Sequence, residues 1–177
     1  MLFFDIGGGN GFVSKGLEKN GIKTCLVEPG IQGCLNAKKR GLSNIVCSDL
    51  ESLKFKAPIP FSIGLFDVLE HIENDDDYLE KICNSIIKDG YLFITVPAYN
   101  FLWSKQDTES GHFRRYSLYE LKNKLKTVGF EILYSTYIFS FLVLPIFFFA
   151  HCQAALELQK REQEKLKKSI MLAGIVF

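Results

Sequence analysis

A glycine-rich run near the start of the chain constrains the fold more than any other feature. The run, Asp5 to Gly11, follows an apolar stretch typical of a strand and precedes a helical pattern. Glycines at such a junction let the backbone turn sharply and approach a ligand without a Cβ clash. The first turn of the following helix presents N–H groups that favour a carboxylate or phosphate. The sequence therefore predicts a strand–loop–helix unit that binds a small ligand; a glycine-rich turn without a ligand is the alternative.

The spacing of the glycines separates two classes of cofactor loop. The dinucleotide fingerprint requires glycines at positions one, three and six. Counted from Gly7, the third position is Gly9 but the sixth is Phe12, so that fingerprint is not met. The pattern D-x-G-x-G-x-G is met in full by Asp5, Gly7, Gly9 and Gly11. A nucleotide-binding oxidoreductase therefore remains only as the less favoured alternative.

The rest of the chain up to residue 136 alternates between strand and helix patterns, which is typical of a parallel sheet with crossover helices. Strands are predicted over Leu2–Asp5, Lys23–Val27, Asn44–Cys47, Ile63–Phe66, Tyr91–Val96 and Phe130–Thr136. Helices are predicted from Phe12 to Gly21, around Leu35, from Asn74 to Gly90 and from Ser117 to Gly129. The third helix has Asn74 as its cap, and the fourth has a capping box of Ser117 and Glu120.

The composition of the chain indicates which partners it binds and in which cellular compartment it resides. The chain has 177 residues and a net charge of +1, which suits one domain and argues against a nucleic-acid partner. Its five cysteines lack paired metal spacing, so we expect reduced thiols in a cytoplasmic protein. No secretory signal is visible, and the longest apolar stretch, Tyr137–Ala150, is shorter than the ~20 residues that a membrane-spanning helix needs.

Two carboxylates follow predicted strands at places where they could bind a nucleoside. Glu28 ends the second strand, where it could accept hydrogen bonds from both ribose hydroxyls; a solvated strand end is the alternative. Asp49 closes the third strand, where it could accept from an adenine amino group, and its alternative is the same.

Over residues 1 to 136 the chain resembles the class I S-adenosylmethionine (SAM)-dependent methyltransferases. The run from Phe61 to His71 is similar to the fourth-strand motif of the branch that includes the ubiquinone-pathway O-methyltransferases. The resemblance implies a Rossmann-like, doubly wound α/β sheet of seven strands in the order 3-2-1-4-5-7-6, with an antiparallel last strand. It also implies SAM as cofactor, with Asp49 and Leu50 at the adenine and Phe66 lining the pocket. The cofactor-binding residues that we expect are Asp5, Gly7, Gly9, Gly11, Glu28, Asp49, Leu50, Phe66 and Asp67.

The segment Asp67-x-x-Glu70-His71 has two interpretations. In the ubiquinone-pathway enzymes a similar acidic and histidine cluster is associated with a divalent metal, and these three side chains could converge on one ion if the segment turns helically. Alternatively, Glu70 and His71 cap and pack the next helix. We favour the second interpretation and predict no metal.

The loop after the fifth strand contains Trp103 and the run Gly111–Tyr116. It resembles a subgroup of bacterial methyltransferases with a His-x-x-Arg-Tyr sequence here. His112 could act as general base on an acceptor hydroxyl, and Arg115 could hold an anionic group. The alternative is that Arg115 and Tyr116 fix the loop to the following helix.

Residues 137–168 separate the core, residues 1–136, from a predicted last strand, Ser169–Phe177. We expect a helical insert, apolar in its first part and basic from Ala154 to Lys168, beside the acceptor pocket. It could contact the inner face of a membrane or cover a lipid-like acceptor; packing on the domain or on a second copy in a homodimer is the alternative.

The expected activity is methyl transfer from SAM to a small-molecule, glycan or lipid-like acceptor, at oxygen in preference to other atoms. Two departures support the alternative of a methyltransferase-like binding module without activity. The helix that usually precedes the first strand is missing from the sequence, which suggests a truncated chain, and Ser62 replaces a common aspartate.

Overall fold

Five parallel strands form one sheet in the part of the chain that the computed structural model describes, which is residues 2–50, 52, 62–138 and 140–148. Their order is β3-β2-β1-β4-β5. The strands are β1 (Leu2–Ile6), β2 (Lys23–Val27), β3 (Ile45–Val46), β4 (Ser62–Phe66) and β5 (Tyr91–Thr95). The predicted Rossmann-like α/β fold is confirmed over these five strands, and the first five predicted strands are present.

Among the described residues, five helices up to Thr127, three short 3₁₀ turns and the helical residues 143–148 accompany the strands. The helices are α1 (Phe12–Lys19), α2 (Ile31–Lys39), α3 (Asp75–Ser85), α4 (Lys105–Glu109) and α5 (Leu118–Thr127). The 3₁₀ turns span Leu69–His71, Asn100–Leu102 and Ser140–Leu142. The cap of α3 is as predicted, because Asn74 accepts a hydrogen bond from the backbone of Asp77. The capping box of Ser117 and Glu120 at α5 is also present.

The main core lies between the sheet and α3. Ile63 and Leu65 of β4 are completely buried, as are Leu79 and Ile82 of α3. Strand β4 lies between β1 and β5, and its uninterrupted apolar sequence suits a strand that is covered on both faces. Burial of this apolar area is the main favourable contribution to folding.

The predicted sixth strand, Phe130–Thr136, is wrong. These residues follow α5 without regular secondary structure, and Leu133 and Tyr134 are 69% and 82% exposed. Among the described residues, no strand pairs with this segment, and strand propensity depends on a pleated, half-buried surface. The predicted basic helix, Ala154–Lys168, and the last strand, Ser169–Phe177, lie outside the described residues, as does the 7-6 part of the predicted strand order.

The start of the predicted insert is partly described. Residues 143–148 are helical and follow directly on the 3₁₀ turn Ser140–Leu142. Within the described ranges, every helix falls short of the length and apolar character required to cross a bilayer.

A buried polar cluster fastens the loop after β5 to α3. The Tyr116 hydroxyl donates to Oδ2 of Asp75 at 2.8 Å, and it lies 3.3 Å from the carbonyl oxygen of Leu69. Lys124 of α5 and Arg114 of the loop also pair with Asp75. Burial alone would raise the pKa of Asp75, but the hydrogen bonds from Tyr116, Lys124 and Arg114 lower it below its ordinary value. The loop therefore has a fixed position over the start of α3.

We predict that Tyr116→Phe lowers the free energy of unfolding by roughly 1–3 kcal/mol, because a buried acceptor on Asp75 loses its donor. Tyr119→Phe is the matched control, since Tyr119 is exposed on α5 and should cost less than about 0.5 kcal/mol. Urea unfolding followed by circular dichroism measures both values. Equal stability of the two variants would contradict the anchoring role of Tyr116.

Candidate functional site

The carboxyl ends of β1, β2, β3 and β4 lie at one edge of the sheet. Ile6 at the end of β1 is paired with Val27 of β2 and with Leu65 of β4, and Val27 is paired with Val46 of β3. Ligands of open α/β sheets bind in the crevice outside this edge. The loops that carry the predicted site residues therefore emerge side by side.

Three glycines of the loop after β1 have left-handed backbone conformations. Gly7, Gly9 and Gly11 have φ angles of 70°, 54° and 72°, which residues with a Cβ adopt only with strain. A Cβ on Gly7 or Gly11 would also collide with Val68 or Leu42. A Cβ on Gly9 would meet nothing within 4 Å, so this part of the loop faces open space. The loop can therefore receive a ligand at Gly9 while its two ends pack on the protein.

Glu28 reaches across the sheet edge to this loop. Its Oε2 accepts a hydrogen bond from the backbone N–H of Gly9 at 2.9 Å, and its Oε1 accepts one from Gly30 at 2.8 Å. Each carboxylate oxygen retains a second lone pair for a further donor. The structure thus joins two of the predicted cofactor residues directly.

Asp5 is fully buried, and its visible role is to hold α1. Its Oδ2 accepts hydrogen bonds from the backbone N–H and the hydroxyl of Ser14, at 3.1 Å and 2.7 Å. Its Oδ1 has no hydrogen-bond partner within the described part of the chain. Burial raises the pKa of Asp5, and the bonds from Ser14 oppose that rise. A direct contact of Asp5 with a cofactor stays a prediction.

The predicted adenine residues flank the end of β3. Oδ1 of Asp49 accepts a hydrogen bond from the backbone N–H of Ser52 at 2.6 Å, which closes a local turn beyond Val46, the last residue of β3. Leu50 is buried in the main core cluster. Adenine contacts of Asp49 and Leu50 stay predictions.

Phe66 and Asp67 lie at the end of β4. The ring of Phe66 stacks on that of Phe3 with centroids 6.2 Å apart. Asp67 has a φ of 54°, and its Oδ1 accepts a hydrogen bond from the Thr95 hydroxyl at 3.1 Å. Cofactor contacts of these two side chains likewise stay predictions.

A second group of polar side chains forms where the turn after β4 meets the loop after β5. Glu70, His71 and His112 each place one oxygen or nitrogen within 4.8 Å of the others. The rings of His71 and His112 meet edge to face with centroids 4.6 Å apart. The backbone N–H of Phe113 donates to the carbonyl oxygen of Glu70 at 2.8 Å, which ties the two segments together. We call these three side chains the Glu70–His112 cluster.

Glu70 is the buried member of this cluster. Its side chain is 1% exposed, and Oε2 finds no hydrogen-bond partner among the residues that the structure describes. Burial raises the pKa of Glu70 to about 7, with a further increase from the charge of Asp67 and an opposing effect of His112. Burial and the neighbouring His112 lower the pKa of His71. The cluster therefore holds groups that can exchange protons near neutral pH.

The less favoured interpretation, a metal site of Asp67, Glu70 and His71, differs from the arrangement in the structure. Asp67 accepts a hydrogen bond from Thr95 and lies outside the cluster, whose third member is His112. Two imidazoles and one carboxylate are a set that a divalent ion accepts, so Glu70, His71 and His112 are the residues that could hold one. We retain the prediction of no metal and interpret the cluster through proton transfer.

Arg115 is engaged by a carboxylate that the sequence did not point to. Its Nε and Nη2 donate to the two oxygens of Asp107 at 2.7 Å and 2.9 Å, and Nη1 donates to the carbonyl oxygen of Ala98. Together with Tyr116, these contacts fix the loop, but to α4 and α3 and not to the following helix α5, which the alternative interpretation expected. Its role toward an anionic acceptor stays a prediction. A capping box of Ser104 and Asp107, visible as S-x-x-D, is the signal that could have revealed Asp107.

Comparisons with known proteins agree with this geometry. A family described as "Methyltransferase domain" matches residues 3–135, whereas a comparison with curated proteins finds no match. Among solved structures, a SAM-dependent methyltransferase from Thermotoga maritima is 21% identical with a TM-score of 0.59, over 73% of this chain and 63% of that one. The plantazolicin methyltransferase, solved in complex with SAH, is 19% identical with a TM-score of 0.59, over 72% of this chain and 53% of that one.

A mycolic acid cyclopropane synthase, also solved with SAH, is 16% identical with a TM-score of 0.57, over 76% of this chain and 56% of that one. The chain thus spans between about half and under two thirds of the length of these proteins. At identities this low, the structural similarity shows only that the fold is shared. The family match, in contrast, covers most of the chain. The predicted resemblance is confirmed at the level of the family, while the similarity to the ubiquinone-pathway branch stays a prediction. The chain belongs to the methyltransferase domain family.

Proposed function

We propose that this chain binds SAM and transfers its methyl group to an oxygen of a small-molecule, glycan or lipid-like acceptor. The observation that carries the proposal is the contact of Glu28 with the N–H of Gly9, in a glycine loop whose middle faces open space. The dinucleotide pattern fails at Phe12, which argues against the oxidoreductase alternative. When bound, SAM supplies a methyl group that its positively charged sulfur already activates.

Different residues at the sheet edge would bind different parts of the cofactor. The open side of the loop at Gly9 suits the methionine part, whose carboxylate is attracted to the start of α1. The free lone pairs of Glu28 suit the ribose hydroxyls. Asp49 and Leu50 follow β3, at the place where we expect the adenine. The main contribution of the protein would be to position the acceptor in line with the methyl group.

The Glu70–His112 cluster would supply the base. A neutral hydroxyl becomes a better nucleophile as it loses its proton, and His112 is the residue that we expect to accept it. The loop that carries His112 leaves the carboxyl end of β5, on the same side of the sheet as the glycine loop. Glu70 and His71 lie beside the His112 ring and would set the charge of its surroundings.

The start of the insert forms an aromatic surface next to the same loop. Tyr137 stacks on Tyr99 at 4.8 Å, and Phe147 meets Phe101 at 6.2 Å. On the outer side, Phe141 and Phe148 are 73% and 64% exposed. In the sequence, five basic residues follow between positions 160 and 168. Exposed aromatic rings that are followed in the sequence by basic residues suit the interface of an anionic membrane.

We therefore propose that residues 137–168 are an insert that contacts the inner, cytoplasmic face of a membrane and gives access to a lipid-like acceptor. The cyclopropane synthase among the similar folds is named for mycolic acid, a lipid, which agrees with such an acceptor. A homodimer that covers the aromatic surface is the competing interpretation.

The first prediction from the proposed function tests the base. His112→Gln should lower kcat by about 10²- to 10⁴-fold, the usual contribution of a general base, and should leave the affinity for SAM unchanged within about twofold. The assay follows tritium from methyl-labelled SAM into catechols, monosaccharides and polyprenols, with Tyr119→Phe as the control variant. Dialysis against EDTA should leave the wild-type rate unchanged. A full rate in His112→Gln would contradict the role of His112 as general base. A wild-type rate that EDTA abolishes and that Zn²⁺ or Mg²⁺ restores would show that the Glu70–His112 cluster binds a metal.

The second prediction tests the aromatic surface. Phe141→Ser combined with Phe148→Ser should reduce co-sedimentation with vesicles of phosphatidylcholine and phosphatidylglycerol by at least about fivefold, because two exposed rings are lost. Leu133→Ser combined with Tyr134→Ser is the matched control, since these side chains are also mostly exposed, at 69% and 82%, but precede the insert. Equal sedimentation of the two variants would contradict the membrane contact. Sedimentation velocity on the same samples would reveal a dimer as the alternative.

A further inference from the structure

A buried carboxylate contacts the proposed base. Oδ1 of Asp107 lies 3.0 Å from Nδ1 of His112, and the backbone N–H of His112 donates to the carbonyl oxygen of Asp107 at 2.9 Å. Asp107 is 1% exposed, and its place in α4 is fixed by Ser104, whose N–H and hydroxyl both bond to Oδ2. Asp107 thus contacts His112 twice, through its side chain at the ring and through its backbone carbonyl at the N–H.

Asp107 remains a carboxylate at neutral pH. Burial alone would raise the pKa of its carboxyl, but the hydrogen bonds from Arg115, His112 and Ser104 keep it well below its ordinary range. A carboxylate can only accept hydrogen bonds. The nitrogen that faces it, Nδ1 of His112, must therefore carry the proton. In the neutral ring the lone pair then resides on Nε2.

We propose that Asp107 is a positioning residue for the methyl transfer, one that holds neutral His112 in the tautomer with its proton on Nδ1. This inference rests on the proposed function, in which His112 is the base. As the acceptor oxygen forms its bond to the methyl carbon, the bonding pair of the broken carbon–sulfur bond stays with sulfur. The hydroxyl proton moves to Nε2, and the resulting imidazolium donates to Asp107 through Nδ1. Its extra proton then leaves from Nε2 to water.

Arg115 has a defined part in this arrangement. Its two bonds to Asp107 fix the plane of the carboxylate, so Oδ1 is aimed at Nδ1 while Oδ2 receives Ser104. The guanidinium also prevents Asp107 from taking the proton itself. On the other side of the imidazole, the ring of His71 packs against it edge to face. The ring of His112 is therefore fixed in both orientation and proton position before any ligand binds.

The predicted effect of Asp107→Asn follows from the partners of the two oxygens. Oδ2 receives three donors, two from Ser104 and one from Arg115, whereas Oδ1 receives one from Nε of Arg115 besides its contact with Nδ1 of His112. The amide oxygen of asparagine would therefore take the place of Oδ2, and the bond from Nε of Arg115 would be lost. The amide NH₂ would then point to Nδ1 of His112 and donate to it. That contact favours the opposite tautomer, in which Nε2 carries the proton. Nε2 then has no lone pair with which to take the proton of the substrate hydroxyl. We expect kcat to fall by about 10²- to 10⁴-fold without loss of SAM affinity.

The test combines NMR with kinetics on the full chain. At about pH 8.5, where histidine is neutral, ¹⁵N shifts of labelled protein should show a protonated Nδ1 and a bare Nε2 in the wild type, and the reverse in Asp107→Asn. Ser104→Ala is the control, because it removes a bond to Oδ2 and leaves the Nδ1 contact intact; its tautomer should be that of the wild type.

The wild-type spectrum decides the proposal even if Asp107→Asn does not fold, since a proton on Nε2 of wild-type His112 would overturn it. An unchanged tautomer in folded Asp107→Asn would overturn it as well. The tautomer is read without SAM or acceptor, so failure of the proposed function leaves a distinct result: His112→Gln would keep its full rate while the wild-type tautomer remained as predicted.

Discussion

The hydrogen bond from the Gly9 N–H to the carboxylate of Glu28 is the interaction on which the proposed cofactor site depends. It joins the loop after β1 to the end of β2, two strands that the register of the parallel sheet places side by side. The loop can make this contact only because Gly7, Gly9 and Gly11 adopt left-handed conformations. The same carboxylate keeps lone pairs for a ribose, so one side chain both shapes the loop and offers a ligand contact.

The second half of the site depends on a different constraint, which is the attachment of the loop after β5 to α3. Tyr116 and Arg114 pair with Asp75, and Phe113 bonds to the backbone of Glu70. These contacts bring His112 to the turn that follows β4. Polar groups that are buried and fully paired specify one arrangement of a loop, whereas unpaired ones are costly. Oε2 of Glu70, which has no hydrogen-bond partner among the described residues, is an exception of the kind that functional sites tolerate.

Sequence patterns that span only a few residues predicted most of the described fold. The strands up to β5, the cap at Asn74 and the capping box at Ser117 follow from patterns within a few residues of sequence. The segment Phe130–Thr136 was predicted wrongly because strand propensity within a segment does not show whether another strand is available to pair with it. The partnership of Asp107 with Arg115 and His112 was missed because short spacing along a loop does not reveal which side chains turn toward one another. For the same reason the cluster contains His112 and not Asp67.

Calorimetric titration with SAM tests the central claim most directly. We expect micromolar binding of SAM, with no binding of NADH under the same conditions. Glu28→Gln should weaken SAM binding by about tenfold or more, since hydrogen bonds to a charged carboxylate contribute about 1.5–3 kcal/mol. Glu80→Gln, which changes an exposed glutamate of α3, should bind like the wild type. NADH binding without SAM binding would contradict the account. If neither SAM nor NADH binds, the result would support the alternative of a methyltransferase-like module without activity.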